Sequence, residues 1–184
     1  MAAARRPLRG NYRVGVVGPG GAGKSTITAC RGSTFALLRA HQDRVVALDA
    51  DAGFGELGEK IDPGARDSYQ ELATDRALFG GTDRGRRSPR SSTGAAIHRL
   101  NRDFAVQIID CGATRDSPLT VEIIRSLAAL IVVNSSVAGG LTVAMHTLHW
   151  VAEREQGRLL PRTMLVFNDS HAKTDKATRA ATRE

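Results

Sequence analysis

Short apolar runs alternate with longer segments of mixed polarity along most of this 184-residue chain. The runs YRVGVV (12–17), RVVALD (44–49), FAVQIID (104–110), LIVVN (130–134) and TMLVFN (163–168) are nearly continuous in apolar residues, so each reads as a buried strand. Between them the pattern turns helical. From Lys24 to about Ala40 no proline interrupts, and Ile27, Phe35, Leu37 and Leu38 fall in a segment of helix length. In DSPLTVEIIRSLAAL, Ser117 is a candidate N-cap and Pro118 takes the first helical position. The segment GLTVAMHTLHWVAER sets Leu141, Met145, Leu148 and Val151 or Ala152 on one face at helical spacing. Strands apolar along their whole length are covered on both sides. The predicted fold class is therefore α/β: a mostly parallel sheet with helices on both faces.

Two segments break this rhythm. GGTDRGRRSPRSSTG (80–94) has no apolar residue to add to a core and reads as a basic, flexible insert. The tail 169–184 is polar with alanines, as in a fraying helix or a disordered end. The organisation expected is a basic segment over 1–11, one domain over 12–168 and the tail, without internal repeats.

Aromatic residues make up only 4% of the chain, so Ala, Val, Leu and Ile must build the core. The net charge of +7 is compatible with an acidic partner such as a nucleotide, nucleic acid or anionic lipid. Much of the excess is local, with Arg5, Arg6, Arg9 and Arg13 near the start and Arg84, Arg86, Arg87 and Arg90 in the insert. Two solvated, disordered basic segments are the favoured explanation. Cys30 and Cys111 lie too far apart in sequence to signal a zinc site or a disulfide framework. With no secretory signal and no span of ~18 apolar residues, the expected location is the cytoplasm and no transmembrane segment is expected.

The strongest chemical signal is GPGGAGKST, directly after the first strand. Gly18, Gly23, Lys24 and Ser25 satisfy G-x-x-x-x-G-K-[ST]. Such a loop curls so that the backbone N–H groups of Gly18, Gly20, Gly21, Ala22, Gly23 and Lys24 can face phosphate oxygens, and the next helix offers its N-terminus to the anion. Lys24 is placed for the β/γ-phosphates, Ser25 for Mg²⁺ and Thr26 for the α-phosphate. A chance glycine-rich turn is the alternative, and a strand before with a helix after argues against it. The segment ALDADAGFG puts Asp49 and Asp51 at the carboxyl end of the second strand, where ligands of open α/β sheets sit. One carboxylate can face the metal shell while the other orients a water. Asp110, closing QIID, has the form of a Walker B carboxylate, with Gly112 in a position to sense phosphate.

Together, GPGGAGKST, VVALDADAGFGELGEKI, IIDCGA and MLVFN resemble the MinD/ParA-like P-loop ATPases in order and spacing. RGSTFALLRAHQDRVVALDAD and DCGATRDSPLTVEIIRSLAALIVVNSSVAGGLTVAMHTLHWV are most similar to the MinD-like ATPases of actinobacteria associated with type VII (ESX) secretion. The likeness covers roughly residues 12–170 without the insert. It implies a P-loop NTPase sheet, an ATP- and Mg²⁺-dependent dimerising switch with slow hydrolysis, and a partner in secretion or subcellular positioning. By position it implies that Lys24, Ser25 and Thr26 bind phosphate and metal, that Asp49 and Asp110 support the metal, and that Asp51 positions the attacking water. Asn168 would read the adenine ring.

Three departures accompany the likeness. The family pattern is K-G-G-x-G-K-[ST], whose first lysine reaches across a dimer to the partner's phosphates; Pro19 stands there instead and carries no charge. Arg115 is a candidate substitute. The basic insert replaces a strand and helices, and the chain stops soon after Asn168, where the resemblance implies further strand–helix units and thus an incomplete sheet edge. Three readings follow: a MinD/ParA-like ATP-binding switch, a P-loop small-molecule kinase, and a degenerate nucleotide- or partner-binding paralogue, with DNA as a candidate partner for its arginine clusters. His146 and His149 lack a third ligand nearby and read as ordinary helix residues. Trp150 is expected at a helix–sheet boundary, and Cys111 as a small buried residue near the phosphate site.

Overall fold

A computed structural model describes residues 8, 10–39, 43–50, 57, 100–113, 116–135 and 139–169, without the side chain of Glu155. The elements are β1 (Tyr12–Val17), α1 (Lys24–Arg39), β2 (Val45–Asp49), β3 (Val106–Asp110), α2 (Pro118–Ser126), β4 (Ala129–Ser135), α3 (Gly140–Val151) and β5 (Thr163–Asn168). A π-helical turn, Ala152–Gln156, and a 3₁₀ segment, Gly157–Arg162, join α3 to β5. Among the described residues the sheet has the order β2-β3-β1-β4-β5, and every pairing is parallel. The expected strands and fold class are all present.

Alternation along the strands builds two cores. Val14 and Val16 of β1, Val106 and Ile108 of β3, and Ile131 and Val133 of β4 share one face with Ile27 and Phe35 of α1. Val17, Ile109 and Val132 point the other way and pack with Ile123 and Ile124 of α2 and with Val151 and Leu159. The Ser117 side chain caps α2 by accepting from the Thr120 N–H at 3.0 Å, with Pro118 at the first position.

On α3 the buried side is not the large apolar one. Gly140, Ala144, Thr147 and Val151 face inward, while Leu141 and Met145 are 38% and 55% exposed. Small side chains let the helix lie close to the sheet, with Gly140 against the carbonyl of Ser135. On α1, Leu37 is likewise exposed.

Arg13 also corrects an expectation, since it is not a solvated charge. Its guanidinium reaches Gln107 Oε1 at 3.3 Å and the Ser126 carbonyl at 3.1 Å, and it bonds Asn101 as well. Gln107, fully buried in β3, completes the network with Asn101 at 2.9 Å. A buried amide and a guanidinium are tolerable here because each finds partners. Arg5, Arg6, Arg9, the insert 80–94 and the tail beyond Asp169 lie outside the described residues.

Candidate nucleotide-binding site

Strand order decides where a ligand can sit. From β1 the chain leaves through α1 toward β2, whereas β3 sends α2 across β1 to reach β4. The carboxyl end of β1 is therefore the switch point, the place where open α/β sheets bind ligands. Gly18–Gly23 occupies it. A β-carbon on Gly18 would lie 2.0 Å from the Val133 carbonyl oxygen, so the loop starts in contact with the backbone of β4. Gly23 (φ +96°) brings the loop into α1.

Lys24 opens α1 and is 7% exposed. Its Nζ donates to the carbonyl of Pro19 at 3.2 Å, and the same carbonyl accepts the Ala22 N–H at 3.3 Å. The loop is thus closed on itself around Pro19. Ser25 follows in the first turn, half-buried, and Thr26 is exposed.

The carboxylates come from two neighbouring strands. Asp49 and Asp110 are register partners, and Val16 is the partner of Asp110 on its other side. By alternation with Val45 and Ala47, and with Val106 and Ile108, both side chains leave the sheet on the α1 face, toward the helix start that carries Ser25. Asp110 is 2% exposed and accepts the Gly112 N–H at 3.1 Å; Asp49 accepts the Leu57 N–H at 3.2 Å. Oxygen donors from two strand ends and a first-turn hydroxyl suit a hard divalent cation held beside phosphates. Asp51 and Arg115 lie outside the described residues.

Asn168, at the end of β5, also reaches this corner, and its Nδ2 donates to the Ala22 carbonyl at 3.1 Å. The sequence pattern placed Asn168 at a strand end without indicating that contact. Cys111 is buried as expected. Burial, reinforced by the adjacent Asp110 carboxylate, pushes its thiol up to about 12, so it stays protonated and unreactive at neutral pH. Trp150 packs against the core edge, and its Nε1 donates to Asp116 at 3.0 Å. Arg154, presented by the π turn, pairs with the same carboxylate and stacks 4.5 Å from the Trp150 ring centroid. His149 pairs with Glu153 at 2.9 Å, and no group of three metal-ligating side chains occurs among the described residues. Asn134 was missed. Its buried amide, near the end of β4, has no hydrogen-bond partner among the described residues. The one hint in the sequence is a polar residue closing an apolar run.

The fold matches those of solved structures. A ParA family ATPase from Chlorobium tepidum TLS superposes with a TM-score of 0.66 at 20% identity, covering 94% of this chain and 81% of that one. The septum site-determining protein MinD from Pyrococcus horikoshii OT3, solved with Mg-ADP, gives 0.61 at 17% identity, covering 92% and 76%. The fold is that of the ParA/MinD P-loop ATPases. Within that ParA/MinD fold, the chain is 31% identical over 190 aligned residues to the ESX-1 secretion-associated protein EspI of Mycobacterium tuberculosis. The alignment takes in 91% of this chain but spans only 28% of EspI. No family model matches the sequence. No helix among the described residues is long and apolar enough to cross a membrane.

Proposed function

We propose that this chain is an ATP-binding module of the ParA/MinD type whose hydrolysis is slow or impaired, serving as a nucleotide-dependent switch in protein secretion. The observation that carries the reading is the convergence of the Gly18–Ser25 loop with the Asp49–Asp110 pair at the switch point of the sheet. Loop amides and the α1 N-terminus bind the phosphates. Lys24 leaves the Pro19 carbonyl for the β/γ-phosphates, and Ser25 with Asp49 and Asp110 holds Mg²⁺. The ion, when bound, neutralises charge on the phosphate oxygens. Asp51 orients a water in this scheme. Secretion is the process favoured because EspI is named as ESX-1 secretion-associated. Its machinery and a second copy of the chain are the proposed partners, with DNA left to the arginine-rich segments.

Pro19 favours a second reading, a nucleotide holder without turnover, because a neutral side chain cannot stabilise transition-state charge in a dimer partner. Titration with Mg-ATP tests the common premise. Wild type is expected to bind, and Lys24→Ala to lose roughly 10- to 100-fold in affinity, as for a hydrogen bond to a charged group. Equal affinities would remove the loop from the nucleotide site.

A further inference from the structure

The phosphate loop is held from behind by the last strand of the sheet. Asn168 lies 146 positions from Ala22, yet its side-chain nitrogen is 3.1 Å from the Ala22 carbonyl oxygen. A carbonyl only accepts, so the amide must present its N–H there. The same nitrogen lies 2.7 Å from where a β-carbon on Gly23 would be. Asn168 thus fills the space that the glycine leaves.

Peptide planarity gives this contact a consequence. The Ala22 carbonyl and the Gly23 N–H belong to one trans peptide and point in opposite directions. Turning the carbonyl toward Asn168 therefore aims the Gly23 N–H away from β5. Gly23 directly precedes Lys24, so this N–H belongs to the set that a polyphosphate would engage. We propose that Asn168 is a positioning residue for the phosphate loop, setting the Gly23 N–H through the Ala22 carbonyl, and that its effect is independent of the base. The proposal rests on the reading of Gly18–Ser25 as a polyphosphate site. It also differs from adenine recognition, since the contact made here is with the backbone of the loop.

The test compares two Mg²⁺-containing ligands, ATP and inorganic tripolyphosphate, on the full chain and on Asn168→Ala and Asn168→Asp. The aspartate keeps the outline of the amide but cannot donate when ionised, and thermal melting checks that both variants fold. Both are expected to lose roughly five- to tenfold in affinity, by the same factor for either ligand. In the ligand-free protein, the ¹⁵N order parameter of Gly23 should fall from the rigid range near ~0.85 in wild type toward ~0.6 in Asn168→Ala. A loss confined to ATP would mean that Asn168 reads the base, and an unchanged affinity or unchanged Gly23 order would equally overturn the proposal. If wild type binds neither ligand, the polyphosphate reading fails, while the order parameter still decides whether Asn168 fixes the loop.

Discussion

Lys24 and Pro19 are joined within one loop: the lysine ammonium donates to the proline carbonyl at 3.2 Å. Because the contact uses the backbone of residue 19, it does not depend on which side chain stands there. The proline side chain does determine what a dimer partner would meet. Pro19→Lys restores a cation at that position and leaves the carbonyl in place.

Turnover should therefore respond to Pro19→Lys. Phosphate release from Mg-ATP, measured at protein concentrations that permit dimers, is expected to rise at least about tenfold, a small part of the ~10³–10⁵ that a charge supplied in trans can contribute. An unchanged rate would show that hydrolysis is limited elsewhere.

Gly18→Ala should damage the fold as well as the site. Its β-carbon would fall 2.0 Å from the Val133 carbonyl oxygen, a backbone atom fixed in the sheet. A cost on the order of 2–3 kcal/mol is expected from such overpacking. Urea denaturation reads it, and wild-type stability in the variant would contradict the close approach of loop and β4.

Asn134 offers a stabilising change. Among the described residues its buried amide meets neither donor nor acceptor, and an orphan of this kind costs about 1–3 kcal/mol. Asn134→Leu should raise the melting temperature, provided that the larger apolar side chain is accommodated. A lower melting temperature, with native circular dichroism, would mean that the amide is satisfied in solution.

Cys111 makes stability depend on alkaline pH. Its folded-state value is raised from 9.0 to about 12, so below about pH 9 the thiol is protonated in both states and folding is unaffected by it. Between the two values the unfolded chain loses the proton and the folded chain keeps it, which favours unfolding as pH rises. Wild type should lose stability relative to Cys111→Ala as pH rises from about 9 toward about 12. Parallel curves would rule out a raised value. Iodoacetamide near neutral pH should label exposed Cys30 and spare Cys111.

The sheet was legible because its strands are apolar throughout, as strands covered on both faces must be. The turn from β1 into α1 was legible because its glycines mark a loop between a strand and a helix. What escaped the sequence depends on distances across the fold. Nothing in TMLVFN says that Asn168 meets Ala22, and the start of the chain does not separate Arg13, which closes a network with Gln107, from its arginine neighbours. The α3 pattern misled for a related reason: close approach to the sheet selected Gly140 and Ala144 for the inside over the larger Leu141 and Met145.

Trp150 is the sole tryptophan of the chain, and its indole is tied to Asp116, six residues beyond Asp110. Indole emission depends on what the ring N–H and face contact, here a carboxylate and the guanidinium of Arg154. The protein therefore carries an optical probe against the segment that follows the buried Asp110 carboxylate. Any rearrangement of that segment can be followed in real time without attaching a dye.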